Sequence, residues 1–279
     1  MSGPPRLSVI GHTEWVEFAR TDHLPGRGEV AHATSELSEP AGGGAVVAVQ
    51  FARLAGECRF HTALGDDETG ARARARLSEL GVTTIDGQLR AEPTRRALTL
   101  VDGSAERTII TLGPRLEPCG EQLGELSALD GLYFTAGDGA ALTRARAAAR
   151  VLTLTPRAAS AARDAQVELD ALIYSASDEL EIRLAGPIEH LAKLVIRTAG
   201  TEGGEWAAHD GSSGRWPAAT VPGTPRDTYG CGDTFAGGVT YGLAAGYQLA
   251  DALALGARCA AVCLTGRGPY ERMLAADDL

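Results

Sequence analysis

Lysine is almost missing from this chain: Lys193 stands alone among 26 basic residues, and the others are arginines. That shortage excludes a phosphate-binding loop ending in Gly-Lys-Ser/Thr, because Lys193 follows Ala192. It also removes the phosphate-pairing lysine that a protein kinase needs. Any nucleotide would have to be gripped by backbone amides, helix N-termini and arginine. Basic charge is scarce as well, with 26 Lys and Arg against 36 Asp and Glu and a formal net charge of −10. Nucleic acid and anionic membrane surfaces both demand a basic footprint, so neither is expected as the main partner. The five cysteines (Cys58, Cys119, Cys231, Cys259 and Cys263) show no pair at two-residue spacing. A zinc site or disulfide frame has no support in that spacing, and free thiols in a reducing cytosol fit better. No apolar run reaches the roughly 18 residues of a membrane span, and no signal-peptide pattern is seen, so a cytoplasmic protein is expected.

What the chain does have is glycine, 35 residues of it, in 279 residues that are 44% hydrophobic and 22% charged. That composition suits a globular α/β protein with many tight strand-to-helix turns. Leu7 to Ile10 reads as a first strand, and Glu29 to Leu37 as a half-exposed one. Gly42 to Gly44 lead into a helix reaching about Leu54. Ala97 to Val101 and Arg107 to Leu112 flank Asp102-Gly103-Ser104 as a hairpin. Brief buried-type strands follow at Leu132 to Thr135, Val151 to Leu154, Ala171 to Tyr174 and Leu194 to Arg197, separated by helical patterns. Such alternation implies right-handed crossovers and a mainly parallel sheet covered on both faces. Residues 12–35 and 89–111 break the rhythm and read as a small antiparallel flap, leaving 1–11, 36–88 and 112–279 as the core.

The chemistry concentrates in Asp227-Thr228-Tyr229-Gly230-Cys231-Gly232-Asp233-Thr234-Phe235-Ala236-Gly237-Gly238. Gly230 and Gly232 let the backbone bend and present successive N–H groups at a helix start, an arrangement that attracts an anion. Asp233, in the first turn, is placed to accept a hydroxyl proton beside that anion site. On spacing alone, two glycines capping an ordinary helix would explain the segment equally well.

The whole segment resembles the C-terminal signature of the ribokinase family of carbohydrate kinases, also called the phosphofructokinase-B (PfkB) family, Asp-Thr-x-Gly-x-Gly-Asp. Cys231 stands where alanine is usual. Pro40-Ala41-Gly42-Gly43-Gly44 resembles the family's glycine-rich lead into its substrate helix, and Gly65-Asp66-Asp67-Glu68-Thr69-Gly70 its Gly-Asp-Asp-x-x-Gly turn. Thr198-Ala199-Gly200-Thr201-Glu202-Gly203 resembles its nucleotide-proximal strand end. The resemblance implies a three-layer α/β/α core with a mainly parallel sheet and a small β lid, often a homodimer contact. It implies ATP with Mg²⁺ and a sugar-like or nucleoside-like substrate. Asp233 would be the general base, the amides of Gly230, Cys231 and Gly232 the anion hole, and Thr198, Gly200 and Gly203 nucleotide contacts. Gly42 and Gly43 would border the substrate, and a monovalent cation such as K⁺ would lie near Asp227.

Three departures bear on substrate and metal. The family's Asn-x-Asp pair after the first strand reads Glu14-Trp15-Val16 here, and the asparagine of the glycine-rich helix is Val46. Glu14, Arg95 or Arg107 would then replace the lost polar contacts, and a substrate with an apolar part would suit Val16, Val46 and Trp15. The Asn-x-x-Glu motif that supports Mg²⁺ through water reads Ser175-Ala176-Ser177-Asp178, making Asp178 the metal-side carboxylate. Two other functions stay in view: a ligand-binding or regulatory protein that has lost turnover, and a kinase of a vitamin-precursor alcohol.

Overall fold

A computed structural model of the chain describes residues 3–82 and 84–279. The chain runs β1 (Leu7–Ile10), β2 (Glu14–Arg20), β3 (Ser35–Ala41), α1 (Gly43–Ala55), β4 (Arg59–Gly65), α2 (Glu68–Glu79) and β5 (Thr84–Arg90). It continues through β6 (Arg96–Val101), β7 (Arg107–Leu112), β8 (Leu129–Phe134), α3 (Gly139–Ala148), β9 (Ala149–Leu154) and α4 (Ala159–Ala165). The remainder is β10 (Ala171–Ser175), α5 (Glu179–Ala185), β11 (Leu194–Thr198), β12 (Gly204–Ala208), β13 (Ser213–Trp216), α6 (Cys231–Ala244) and α7 (Leu249–Cys263).

A nine-stranded sheet has the order β13-β12-β11-β10-β9-β8-β1-β4-β5. It is parallel from β11 to β5, with the antiparallel pair β12–β13 on one edge. The short apolar runs alternate sides. Val9, Tyr133, Ile173 and Ile196 join the core under α1, α6 and α7, while Ile10, Phe134, Leu172 and Val195 join the core under α3 and α4. A strand buried on both faces has no polar side to show, which is why these segments read as continuous hydrophobic runs. The order turns outward in both directions from β1, since β4 lies on one side and β8 on the other. The carboxyl ends of strands at such a reversal point are where open α/β sheets bind ligands.

The second sheet has the order β3-β2-β6-β7. Here the strand expected from Glu29 to Leu37 lies instead at Ser35–Ala41, so the small sheet draws on residues beyond 35. Pro40 lies within that strand. It is tolerated because β3 is an edge strand, where a missing N–H costs no ladder bond. Glu14–Arg20, placed in the flap without a strand of its own, is the central strand, antiparallel to β3 but parallel to β6, so the small sheet is mixed rather than antiparallel. The β12–β13 pair was also unanticipated, because two glycines weaken its strand pattern. Each sits opposite a tryptophan, Gly204 against Trp216 and Gly214 against Trp206. A Cβ on Gly204 would lie 2.3 Å from the Trp216 ring. No helix among the described residues is long and apolar enough to cross a membrane.

Candidate active site

Helix α6 meets the carboxyl ends of the parallel strands with Gly230 as its N-cap, at φ +82°. Glycine adopts that left-handed conformation without the steric cost of a Cβ. It also brings no capping oxygen, so the first N–H groups of the helix keep their hydrogen-bonding capacity. The Cys231 N–H is spent on the Thr228 carbonyl at 3.3 Å. Those of Gly230, Gly232 and Asp233 have no protein acceptor among the described residues. The unbonded N–H groups therefore differ from the expected trio: that of Cys231 is taken, and that of Asp233 is left open.

Asp233 accepts no hydrogen bond from protein groups among the described residues and is half-buried. Burial pushes its carboxyl up to about 6, with Arg107 and Arg157 pulling downward and Glu181 and Glu14 pushing further up. A base with that affinity is matched to proton abstraction near neutral pH. Opposite it lies the start of α1. A Cβ on Gly43 would come within 2.9 Å of Asp233 Oδ1 and 3.4 Å of Thr135 Oγ1, so a side chain there would have to displace the carboxylate. Gly42, at φ +92°, closes over the His12 ring in the same way. His12 Nδ1 pairs with Thr135 Oγ1 at 3.2 Å. Burial, reinforced by Arg115, Arg95 and Arg157, pushes the imidazole down to about 3, so it stays neutral. Gly42, Gly43, His12, Thr135 and Asp233 thus form one continuous wall.

Tyr229, at the variable position of the Asp227 to Asp233 segment, ties the site together. Its hydroxyl accepts the Gly42 N–H at 3.2 Å, linking the Asp233 loop to the start of α1. Its ring stacks edge-on against Phe18 of β2, with centroids 4.8 Å apart, in a contact worth about 0.5–1.5 kcal/mol beyond its buried area. From β7 of the same small sheet, Arg107 donates to the Thr228 carbonyl and hydroxyl at 3.1 and 3.0 Å.

Asp227 is buried, and its two carboxylate oxygens accept the N–H groups of Tyr229 at 2.8 Å and Gly268 at 2.9 Å. Burial nonetheless raises its pKa, against the pull of those bonds and of Arg107 and Arg20. Arg20 and Arg107 also occupy the carbonyls of Arg226 and Thr228. Two guanidinium charges therefore already stand beside Asp227. Asp178 is likewise occupied. Its Oδ1 caps α5 through the N–H groups of Leu180 and Glu181, and its Oδ2 takes Arg157 at 2.6 Å. The carboxylate of this turn whose charge reaches Asp233 is Glu181, one helical turn on from Asp178, which also accepts the Ser175 N–H at 3.0 Å. Its placement in the first turn of α5 was the available signal.

At the end of β11, the half-buried Thr198 hydroxyl bonds the Tyr174 carbonyl at 3.4 Å. Gly200 and Gly203 have φ of +55° and +80°, and form the turn into β12. The positive φ of Gly203 thus has a purely structural reason as well. Glu14 is buried at the head of β2, its pKa raised by desolvation against Arg95 and Arg115. Arg95 lies 3.2 Å from it. The residues proposed to suit an apolar substrate do not face the cleft. Val16 and Val46 are wholly buried in the main core, and Trp15 packs beneath Arg72 of α2, 4.4 Å from the guanidinium.

Comparison with known proteins matches the description "pfkB family carbohydrate kinase" to residues 5–176 and 162–276, which is nearly the whole chain. The chain belongs to the pfkB family of carbohydrate kinases. This pfkB kinase is 28% identical over 246 residues to a fructokinase from Vibrio alginolyticus, covering 74% of this chain and 77% of that one. Among solved structures it is similar to a ribokinase from Thermotoga maritima, with TM-score 0.77, 23% identity, and 98% and 97% of the two chains covered. A ribokinase from Cryptococcus neoformans, solved in complex with ADP, aligns with TM-score 0.75, 23% identity and 98% coverage of both chains. These similarities account for the three-layer core and the small second sheet of the kinase.

Proposed function

We propose that the protein transfers the terminal phosphoryl group of ATP to a hydroxyl of a sugar-like or nucleoside-like small molecule. The supporting observation is the pairing of an unbonded carboxylate, Asp233, with the unbonded N–H groups of Gly230, Gly232 and Asp233 at one helix start. Asp233 takes the proton of the substrate hydroxyl as that oxygen forms its bond to phosphorus and the bond to the leaving ADP breaks. The helix amides and the α6 dipole stabilise the charge that spreads over the transferring group, without reorganising to do so. Gly43 keeps the space in which the hydroxyl reaches Asp233, and Glu14 and Arg95 border the rest of the substrate. Thr198, Gly200 and Gly203 stand on the nucleotide side, at the end of β11 and in the turn into β12.

Mg²⁺ accompanying ATP would neutralise phosphate charge, and it characteristically keeps several waters. Glu181, whose charge reaches Asp233 and which Arg157 holds in place, fits such water-mediated support better than Asp178, whose two oxygens already serve the α5 N–H groups and Arg157. The outer strand β7 exposes Ile109, Ile110 and Leu112, an apolar edge suited to a second copy of the chain, so a homodimer through the small sheet is part of this reading.

Asp233→Asn tests the assignment. Turnover is expected to fall on the order of 10²–10⁴-fold, while binding of a non-hydrolysable ATP analogue persists. Undiminished turnover in that variant would remove Asp233 from the mechanism.

A further inference from the structure

Cys231 and Cys263 stand far apart in the chain, yet the fold brings their thiols together at the N-terminus of α6. Cys231 is the first residue of that helix and half-buried, whereas Cys263 is the last residue of α7 and fully buried. The Cys263 S–H faces two acceptors, the Tyr229 carbonyl at 3.5 Å and the Cys231 sulfur. Cys231 directs its own S–H toward the Asp227 carbonyl, 3.9 Å away. A Cβ on Gly230 would lie 3.6 Å from Cys263 Sγ, so this sulfur packs against the N-cap of the helix. The two segments are also fastened through their backbones. The Leu264 carbonyl, next to Cys263, accepts the N–H groups of Arg226 at 2.8 Å and Asp227 at 3.4 Å. Phosphotransfer as described above uses neither thiol.

The pair has an outer and an inner member. The hydrogen bond shared with Cys231, and then burial, hold the Cys263 thiol far above its ordinary range, so it stays protonated. An oxidant arriving from solvent therefore meets Cys231 first. Sulfurs in a disulfide lie ~2 Å apart, so thiols in hydrogen-bond contact close the bond by moving on the order of 1–2 Å. Cys231 sits between Gly230 and Gly232, whose N–H groups are free of protein acceptors among the described residues. Drawing its side chain toward α7 shifts those N–H groups and the Asp233 carboxylate together. A displacement of about 1 Å in a positioned site costs on the order of 10²-fold in rate.

We propose that Cys231 and Cys263 form a modification site, an oxidisable pair whose disulfide disables the helix start that serves phosphotransfer and whose reduction restores it. With a hydroperoxide as oxidant, the Cys231 sulfur attacks the outer oxygen and the O–O bond breaks. The alcohol leaves with the Cys231 proton (water, where the oxidant is hydrogen peroxide), and Cys231 carries a sulfenic acid. The Cys263 sulfur then attacks that sulfur, the S–O bond breaks, and hydroxide departs as water with the Cys263 proton. Two thiols lose two electrons, and the peroxide gains them. A dithiol reductant reverses the link by exchange.

Exposure of the unmodified protein to equimolar hydrogen peroxide tests the pair. Mass spectrometry of the non-reduced digest should show the Cys231 and Cys263 peptides joined, two hydrogens lighter than their sum. ADP release with ATP and a panel of sugars should fall at least about tenfold as the link accumulates, and return with dithiothreitol. Cys263→Ala removes the inner thiol alone, and should keep most of its ADP release under the same exposure. Where that variant does not fold, the parallel between link and loss in the unmodified protein decides the question. The switch rests on the phosphotransfer reading, whereas the link is read by mass alone. If no sugar is turned over, that reading fails, and calorimetric binding of a non-hydrolysable ATP analogue replaces ADP release, expected at least about tenfold weaker in the linked form. Absence of the joined peptides, full function in linked protein, or an equal reversible loss in folded Cys263→Ala would overturn the proposal.

Discussion

Replacing Asp233 by asparagine should stabilise the fold while it removes the activity. Burial raises this carboxyl from 3.8 to about 6, so the charged form is less favourable in the folded chain than in the unfolded one. At roughly 1.4 kcal/mol per pKa unit, the shift sets a ceiling of about 3 kcal/mol; solvent reaching the half-buried side chain through the cleft reduces this to ~1–2 kcal/mol. The sign follows from proton binding. Between about pH 4 and 6 the folded state holds a proton that the unfolded state has released, so stability falls as pH rises through that window. The penalty is absent below it and complete above it. Asparagine, neutral at every pH, carries no such penalty. Thermal unfolding at pH 7.5 should therefore place the variant ~2–6 °C above the unmodified protein, and the gap should close near pH 4. A gap of equal size at both pH values, or no gap at pH 7.5, would refute the desolvated carboxylate. The same titration predicts that kcat/KM of the unmodified protein falls about tenfold per pH unit below about 6, because a protonated base cannot accept the hydroxyl proton.

Three further outcomes follow from neighbouring geometry. Gly43→Ala would set a Cβ 2.9 Å from Asp233 Oδ1, and the displaced carboxylate should cost on the order of 10² in kcat, measured with the folded variant under saturating ATP. Tyr229→Phe leaves the buried Gly42 N–H without its acceptor, so a loss of about 1–3 kcal/mol is expected in denaturant unfolding, together with lower kcat/KM. Because Arg20 and Arg107 already stand beside Asp227, initial rates in sodium and potassium salts of equal ionic strength should agree within about twofold. A strong potassium requirement would show that a cation binds there despite them.

The local part of the site was legible because it depends on residues close together in the chain. Gly230, Gly232 and Asp233 lie within four positions, and the bend, the exposed amides and the carboxylate all follow from backbone chemistry at a helix start. The buried parallel strands were legible too, since a strand covered on both faces must be apolar throughout. Where local preference and tertiary need disagreed, the pattern failed. Pro40 disguised β3, which tolerates it only as an edge strand, and the glycines of β12 and β13 are there to admit Trp216 and Trp206 from the opposite strand.

The rest required the assembled molecule. The spacing Asp227 to Asp233 put one carboxylate in the first turn of a glycine-led helix, a pattern that an ordinary capped helix would share. Only folding decided that this carboxylate would be desolvated, that Gly43 would be its facing wall and that Tyr229 would bond Gly42, residues some 190 positions away along the chain. The placement of Arg95 belongs to the same class. Nothing in Pro93-Thr94-Arg95-Arg96 distinguishes the two arginines, yet Asp67 holds Thr94 so that Arg95 turns inward beside Glu14 while Arg96 stays exposed. Covalent order dictates which groups can bend or ionise; long-range packing dictates how much water each retains, and that controls their charge and their use.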